Sequence, residues 1–298
     1  MQPCNMWFPM QFLENVPLAP KTTMHIGGKA RYFAELRSRE DIEDTWRFAQ
    51  EHHLPLIPLG AGSNTIFADG MIEAIVVQIK ADSMKADEHK VTVEAGKYLA
   101  SLITECARLG LDLSALTGIP GTVGGAVFGN AGQGPKGIWT GSFLEQVEVF
   151  VSGTWKNFQR SDCKFGYRES IFKKMPEAIA WEAVFSLPVK SPEEIEAEMQ
   201  KLLQHRKDAQ FFGRTAGSCF KGLPDGTSAW KLIDAAGLRG FKVGGVQISE
   251  KHANFLVNME GEGTFADAVA IVEKVKQSVP VLPGVEMRFI ESDGSVRY

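Results

Sequence analysis

A chain of 298 residues, 44% hydrophobic and 23% charged, has the average make-up of a globular protein and is long enough for roughly two domains. Its formal net charge of −4 argues against a nucleic-acid surface, which needs a basic stripe to displace counterions, but leaves room for a local basic pocket. Nowhere do 18 uncharged apolar residues run together, so a membrane-spanning helix is excluded, and the well-separated Cys4, Cys106, Cys163 and Cys219 suit a reducing cytoplasm better than a disulfide or zinc framework.

Residues 1–20 contain Met6, Trp7, Phe8, Met10 and Phe12 but no basic start, and Glu14 interrupts the apolar run; 1–26 therefore reads as an arm of the mature chain. Short β-rich runs follow at 55–59, 74–79, 91–95, 147–151 and 178–187, separated by glycine turns. Two helices interrupt them. One is expected over 38–51, with Ile42, Trp46 and Phe48 as its apolar contributors, and one over 98–109, where Leu99, Leu102, Ile103 and Cys106 recur at helical spacing and Gly110 supplies the stop.

At Ser191 the character changes. A capping serine, Pro192 at the first helical position and Glu194 three residues after the cap open a helix, and a domain boundary is placed here. The domains are thus 27–190 and 191–298. The new helix carries Ile195, Met199 and Leu202 on one face and ends in His205-Arg206-Lys207, a basic stretch suited to the negative end of its dipole. A helix at 229–236, a strand at 253–258, a helix over 264–277 capped by Thr264 with Asp267, and a strand at 285–291 complete the chain.

Two glycine-rich segments carry the strongest chemical signal. Gly60-Ala61-Gly62-Ser63-Asn64 follows an apolar strand, but Thr65 stands where a dinucleotide fingerprint needs its third glycine, and no helix follows. A nest of backbone N–H groups closing on an anion remains open, as does an ordinary turn. Residues 118–132 hold six glycines and no charged residue, so backbone can approach a flat ligand closely while Ile119, Val123 and Val127 wall it.

These segments, together with Thr22-Thr23-Met24-His25-Ile26-Gly27-Gly28, Gly166-Tyr167-Arg168-Glu169-Ser170, Ala216-Gly217-Ser218-Cys219-Phe220-Lys221, Ser249-Glu250-Lys251-His252-Ala253-Asn254-Phe255 and Glu286-Met287-Arg288, resemble in order and spacing the motifs of the UDP-N-acetylenolpyruvylglucosamine reductase family. The resemblance spans nearly the whole chain and is to the shorter branch. It implies an α+β protein in which a two-subdomain FAD-binding fold of the PCMH or vanillyl-alcohol-oxidase type precedes a smaller substrate-binding domain. It further implies that NADPH reduces FAD, and that UDP-N-acetylglucosamine enolpyruvate is then reduced to UDP-N-acetylmuramate for peptidoglycan synthesis. By the same resemblance FAD is held by Gly60, Ala61, Gly62, Ser63 and Asn64 and by Gly118, Ile119, Pro120, Gly121, Thr122, Gly124, Gly125 and Ala126. Arg168, Ser218 and Glu286 take the chemistry, and Tyr167, Lys221 and Lys251 the substrate.

The residue types fit those roles. A guanidinium fork at Arg168 can hold a carboxylate and tighten as charge gathers there, although a surface arginine in a turn reads the same way. Ser218, in a glycine-flanked turn, can pass a proton to an enolate, although a loop serine is the plainer reading. Alternation puts Glu286 and Arg288 on one face and Val285, Met287 and Phe289 on the other; enclosure would raise the Glu286 pKa, while a solvent-facing strand would show the same pattern. His25 and His252 belong to no ligand cluster, so no metal is expected. Two departures touch the sugar-nucleotide pocket: Gly222 stands where the family carries an amide, and 210–215 lacks the usual proline. An FAD-linked oxidase of the same fold, or a flavin- or sugar-nucleotide-binding protein without catalysis, are the competing readings; neither nucleic acid nor membrane is expected as a partner.

Overall fold

The computed structural model describes residues 10–133, 137–281 and 284–298; Met6, Trp7, Phe8 and Cys4 lie outside the described residues. Leu13–Pro17 of the expected arm forms β1, an edge strand paired antiparallel with β2 (Lys29–Leu36). Ser38 then caps α1 (Arg39–His52): its Oγ accepts from the Asp41 N–H at 3.1 Å, and Asp41 accepts from the Ser38 N–H at 3.0 Å. The chain continues through β3 (Leu56–Pro58), β4 (Thr65–Phe67) and β5 (Met71–Ile79). The first sheet has the order β1-β2-β5-β3, with β5 parallel to both neighbours. Ala74, Ile75, Val76 and Val77 are all buried, a run without alternation because β5 is covered on both faces.

The second sheet is antiparallel throughout. It contains β6 (Met84–Asp87), β7 (Lys90–Glu94), β8 (Leu144–Val151), β9 (Thr154–Gln159) and β10 (Ile179–Ser186) in the order β6-β7-β10-β8-β9. Strict alternation along β10 buries Ile179, Trp181, Ala183 and Phe185. The helix expected near residue 100 is α2 (Leu99–Arg108), whose Leu99, Leu102, Ile103 and Cys106 pack into the same core as Val91, Val93 and Phe185.

The glycine-rich segment 118–132, for which the sequence named no helix, contains α3 (Val123–Gly129). Its glycines argue against a helix on propensity. They are outweighed by burial of Val123, Ala126 and Val127, by Thr122 Oγ1 accepting from the Gly125 N–H at 3.3 Å, and by bonds from Val123 and Gly124 to the carbonyls of Lys97 and Ala95. At Gly124 an added Cβ would stand 3.0 Å from that of Ala95, so glycine permits this close approach of helix to strand.

From Ser191 the chain forms α4 (Pro192–Ala209), β11 (Thr215–Ser218), α5 (Ala229–Ala235), β12 (Lys242–Val243), β13 (Val246–Ile248), β14 (Phe255–Asn258) and α6 (Phe265–Ser278). Capping boxes close at Ser191 with Glu194 and at Thr264 with Asp267, as the sequence predicts. These strands form a third sheet, β11-β14-β13-β12, with α6 against it. The last strand, β15 (Arg288–Ile290), is shorter than the 285–291 expected, because the N–H groups of Glu286 and Met287 turn aside to the Cys219 carbonyl. It pairs in parallel with β4, Arg288 opposite Thr65, and one apolar core runs from Leu18 through Ile290. The expected α+β class is the one observed. Among the described residues no helix is long and apolar enough to cross a membrane.

Candidate active site

A cleft of about 640 Å³ opens where the ends of β3 and β4, the start of α3, the end of α4 and the strands β11 and β15 meet. That is the size of a small-molecule or cofactor site. It is lined by every expected cofactor residue in 60–64 and 118–126, and by Tyr167, Arg168, Ser218 and Glu286. Lys221 and Lys251 are outside the lining. The Lys221 ammonium pairs with Glu169, and that of Lys251 is spent on the Lys207 carbonyl at the surface.

The two glycine segments face each other and touch, the Ser63 hydroxyl donating to the Pro120 carbonyl at 3.2 Å. Among the described residues none of the backbone N–H groups of Gly60, Ala61, Gly62, Ser63 and Asn64 donates a hydrogen bond, nor do those of Gly118, Gly121 and Thr122. Main-chain donors are rarely left unpaired in a folded protein. They line one wall of the cleft, and backbone donors grouped in this way could receive phosphate oxygens. Gly62 is indispensable to this bend: its φ is +66°, and a Cβ there would meet the Lys21 carbonyl at 2.2 Å. Donors and apolar walls together fit the pyrophosphate and flat ring of a flavin dinucleotide.

The other end of the cleft is built from charged side chains. Arg168 sits in a hairpin closed by Gly166 and Glu169, whose N–H groups each donate to the other's carbonyl, at 3.0 and 3.1 Å. Its φ of +56° is a left-handed conformation costing roughly 1–3 kcal/mol for a residue with a side chain. Asn130, at the end of α3, steadies this hairpin by donating from Nδ2 to the Gly166 carbonyl at 2.7 Å. Arg168 Nε lies 3.0 Å from Glu286 Oε1, yet its N–H is not aimed at that oxygen and remains a buried donor without a hydrogen bond. Glu286 is enclosed, its side chain 13% exposed, which removes the solvent-facing alternative. Burial raises its carboxyl above the usual range, opposed by Arg168, Lys173 and Lys221. The Ser218 hydroxyl, at the end of β11, has no hydrogen-bond partner among the described residues and faces the cleft.

Sequence reasoning missed three cations in the lining: Lys173, Arg206 and Arg288. Arg206 was read as a dipole-complementing charge at a helix end. The structure instead lays its side chain across Gly118, where a Cβ would be 2.5 Å from Arg206 Cδ, and leaves its Nε buried without a partner. Burial and the neighbouring Arg168 lower its pKa. Arg288 has no carboxylate partner among the described residues; it donates to the Pro58 carbonyl at 3.4 Å and stacks over the Phe128 ring at 5.0 Å. Burial pulls it down to about 10, so it stays charged at neutral pH. The alternation that placed Arg288 beside Glu286 was the available signal; for Arg206 none existed. With Arg168, these make four cations against one carboxylate in the lining, a basic pocket in an acidic chain. Cys219 is no competitor for Ser218, being fully buried with its thiol pushed far up by desolvation.

Comparison with known proteins agrees with this arrangement. Residues 30–153, which include both glycine segments, match the model of an FAD binding domain, and residues 206–289 match that of the UDP-N-acetylenolpyruvoylglucosamine reductase C-terminal domain. The reductase of that name from Aquifex aeolicus is 38% identical over 96% of this chain and 97% of its own; that from Geotalea uraniireducens is 35% identical over 92% and 90%. The crystal structure of UDP-N-acetylenolpyruvylglucosamine reductase from Thermus caldophilus, 32% identical, superposes with a TM-score of 0.81 over 95% of this chain and 99% of that one. The chain is an FAD-dependent oxidoreductase belonging to the UDP-N-acetylenolpyruvoylglucosamine reductase family.

Proposed function

We propose that this protein reduces UDP-N-acetylglucosamine enolpyruvate to UDP-N-acetylmuramate at the expense of NADPH, in the cytoplasm, as a step of peptidoglycan precursor synthesis. The observation that carries the reading is the cleft itself, where a wall of unpaired main-chain donors adjoins a cluster of Arg168, Glu286 and Ser218. Bound FAD supplies the redox chemistry that side chains cannot, accepting a hydride equivalent from NADPH and passing one to the enolpyruvyl alkene.

The chain's own residues do the rest. Gly60, Ala61, Gly62, Ser63 and Asn64, with Gly118, Gly121 and Thr122, hold the pyrophosphate, while Ile119, Pro120, Gly124, Gly125 and Ala126 shape the wall beside it. The unpaired Nε–H of Arg168 is free for the substrate carboxylate, and this contact strengthens as reduction of the alkene pushes charge onto the carboxylate side. Glu286, kept protonated to higher pH by burial, donates a hydrogen bond to the same developing enolate. The Ser218 hydroxyl delivers the proton to the carbon next to the carboxylate. Tyr167 fixes the turn that carries Gly222, whose N–H donates to the Tyr167 hydroxyl at 3.0 Å. That bond supplies order where the family uses an amide side chain. Arg206, with an unspent Nε, suits a substrate phosphate better than either Lys221 or Lys251, whose ammonium groups already have partners. The residues 191–298 are read as the substrate-binding domain and 27–190 as the FAD-binding domain.

Anaerobic stopped-flow absorbance tests the reading. NADPH should bleach the yellow protein, and the enolpyruvyl sugar nucleotide should restore the colour. Indifference to NADPH with rapid bleaching by an alcohol would favour an FAD-linked oxidase, and bleaching without recovery would leave a flavin protein of another function.

A further inference from the structure

Arg168 occupies the third position of a tight turn with a φ of +56°, a place where glycine or asparagine is the usual choice. A long side chain in this conformation persists only if its surroundings over-determine it. The turn's ends are fastened: Gly166 by Asn130, and Ser170 through its hydroxyl, which donates to the Phe128 carbonyl at 2.6 Å. The peptide that leaves Arg168 is held by Lys173, from the single 3-10 turn Ile171–Lys174, whose ammonium donates to the Arg168 carbonyl.

The environment of Lys173 favours this use of its charge. It lines the cleft, but its side chain is only 25% exposed, and the nearest carboxylate, Glu169, is 3.9 Å away and already engaged by Lys221. Arg168, Lys221 and Glu286 are the other titratable groups around it. Burial pulls its pKa below the ordinary lysine range, with Glu169 opposing, so the ammonium needs the Arg168 carbonyl as a partner.

We infer that Lys173 is a positioning residue for Arg168: by clasping the Arg168 carbonyl it fixes the left-handed turn, so that the guanidinium stands in one place when the substrate carboxylate arrives. The inference rests on the proposed contact between Arg168 and that carboxylate. It differs from a direct role of Lys173 on substrate, because a residue that orients another should affect the rate of the chemical step more than affinity.

The test is Lys173→Met, compared with Lys173→Arg and Arg168→Lys, with the two half-reactions measured separately without oxygen. For Lys173→Met the limiting rate of flavin reoxidation by the enolpyruvyl substrate should fall about 10- to 100-fold, the cost of a misplaced catalytic contact. Reduction by NADPH, flavin absorbance and substrate dissociation constant should stay within about 3-fold. Lys173→Arg, which keeps a charged donor, should recover most of the rate. Should the Met variant not fold, Lys173→Gln, too short to reach the carbonyl, reads the same loss. A parent-like reoxidation rate in the Met variant overturns the inference, as does weakened substrate binding with the limiting rate unchanged, which would mark a direct contact. If Arg168→Lys is also parent-like, the contact of Arg168 with the carboxylate falls first; if only Arg168→Lys is slow, the failure belongs to Lys173.

Discussion

Along 60–64 and 118–125 the cleft presents main-chain N–H groups and no ionised side chain, whereas around Arg168 and Glu286 it presents charges drawn from separate stretches of chain. The first wall gains its shape from glycines and from the backbone bonds that anchor α3 to Ala95 and Lys97. The second depends on a strained hairpin, a buried carboxyl and an ammonium held on a carbonyl. Backbone donors bind a constant anion without needing to titrate or move. Side-chain charges, set in a low-dielectric enclosure, can respond to charge that appears only during reaction. The division suits a cofactor that stays and a substrate that changes.

The sharpest way to break this comparison is to remove the carboxyl. Glu286→Ala should slow reoxidation by the enolpyruvyl substrate about 100- to 1,000-fold with flavin binding intact, the range for losing a donor to a developing oxyanion. The pH profile carries the sign. Burial raises the Glu286 pKa, so the protonated, donating form survives to higher pH than for an ordinary carboxyl. Reoxidation should therefore decline as pH climbs through that raised value, and the decline should be missing in the Ala variant. An identical decline in both would assign it to another group.

A smaller effect is expected from the opposite wall. Gly62→Ala places a Cβ against the Lys21 carbonyl in a backbone conformation that alanine resists, and the FAD dissociation constant, measured by flavin fluorescence, should rise roughly 10- to 100-fold. Tight retention of flavin by this variant would show that the bend does not hold the cofactor. The smallest effect sharpens the boundary of the site: Lys251→Ala, outside the cleft lining and with its ammonium on the Lys207 carbonyl, should change the apparent KM for the sugar nucleotide by less than about 2-fold, as for an ordinary surface position. A large rise would bring Lys251 back to the substrate.

Much of this architecture was legible because it is local. The capping boxes at Ser191 and Thr264, the stop at Gly110 and the alternation along β10 each depend on residues close in sequence. The short α3 was hidden because its glycines oppose helix formation until tertiary burial outweighs them. The strand β2 carries Lys29, Arg31 and Glu35 among its apolar residues and escaped notice. At the site, the glycine segments announced themselves by composition, and Arg168, Ser218 and Glu286 by family resemblance. What joins them did not. Asn64 donates to the Glu286 carbonyl at 3.0 Å across 222 positions, and β15 pairs with β4 over a similar span. Lys221 drew attention by its nearness to Ser218 in sequence, yet it has a carboxylate of its own, and no local pattern reveals that the guanidinium at the end of α4 keeps an unpartnered Nε.

The separation of a backbone cradle from a side-chain reaction centre is tested most directly in the variant Arg168→Lys, Ser218→Ala, Glu286→Gln. Titrated with FAD and followed without oxygen, it should bind flavin with the parent's affinity and be bleached by NADPH at the parent's rate, yet remain bleached when the enolpyruvyl sugar nucleotide is added. A variant that no longer takes up FAD, or one that recovers its colour with substrate as the parent does, would contradict the account.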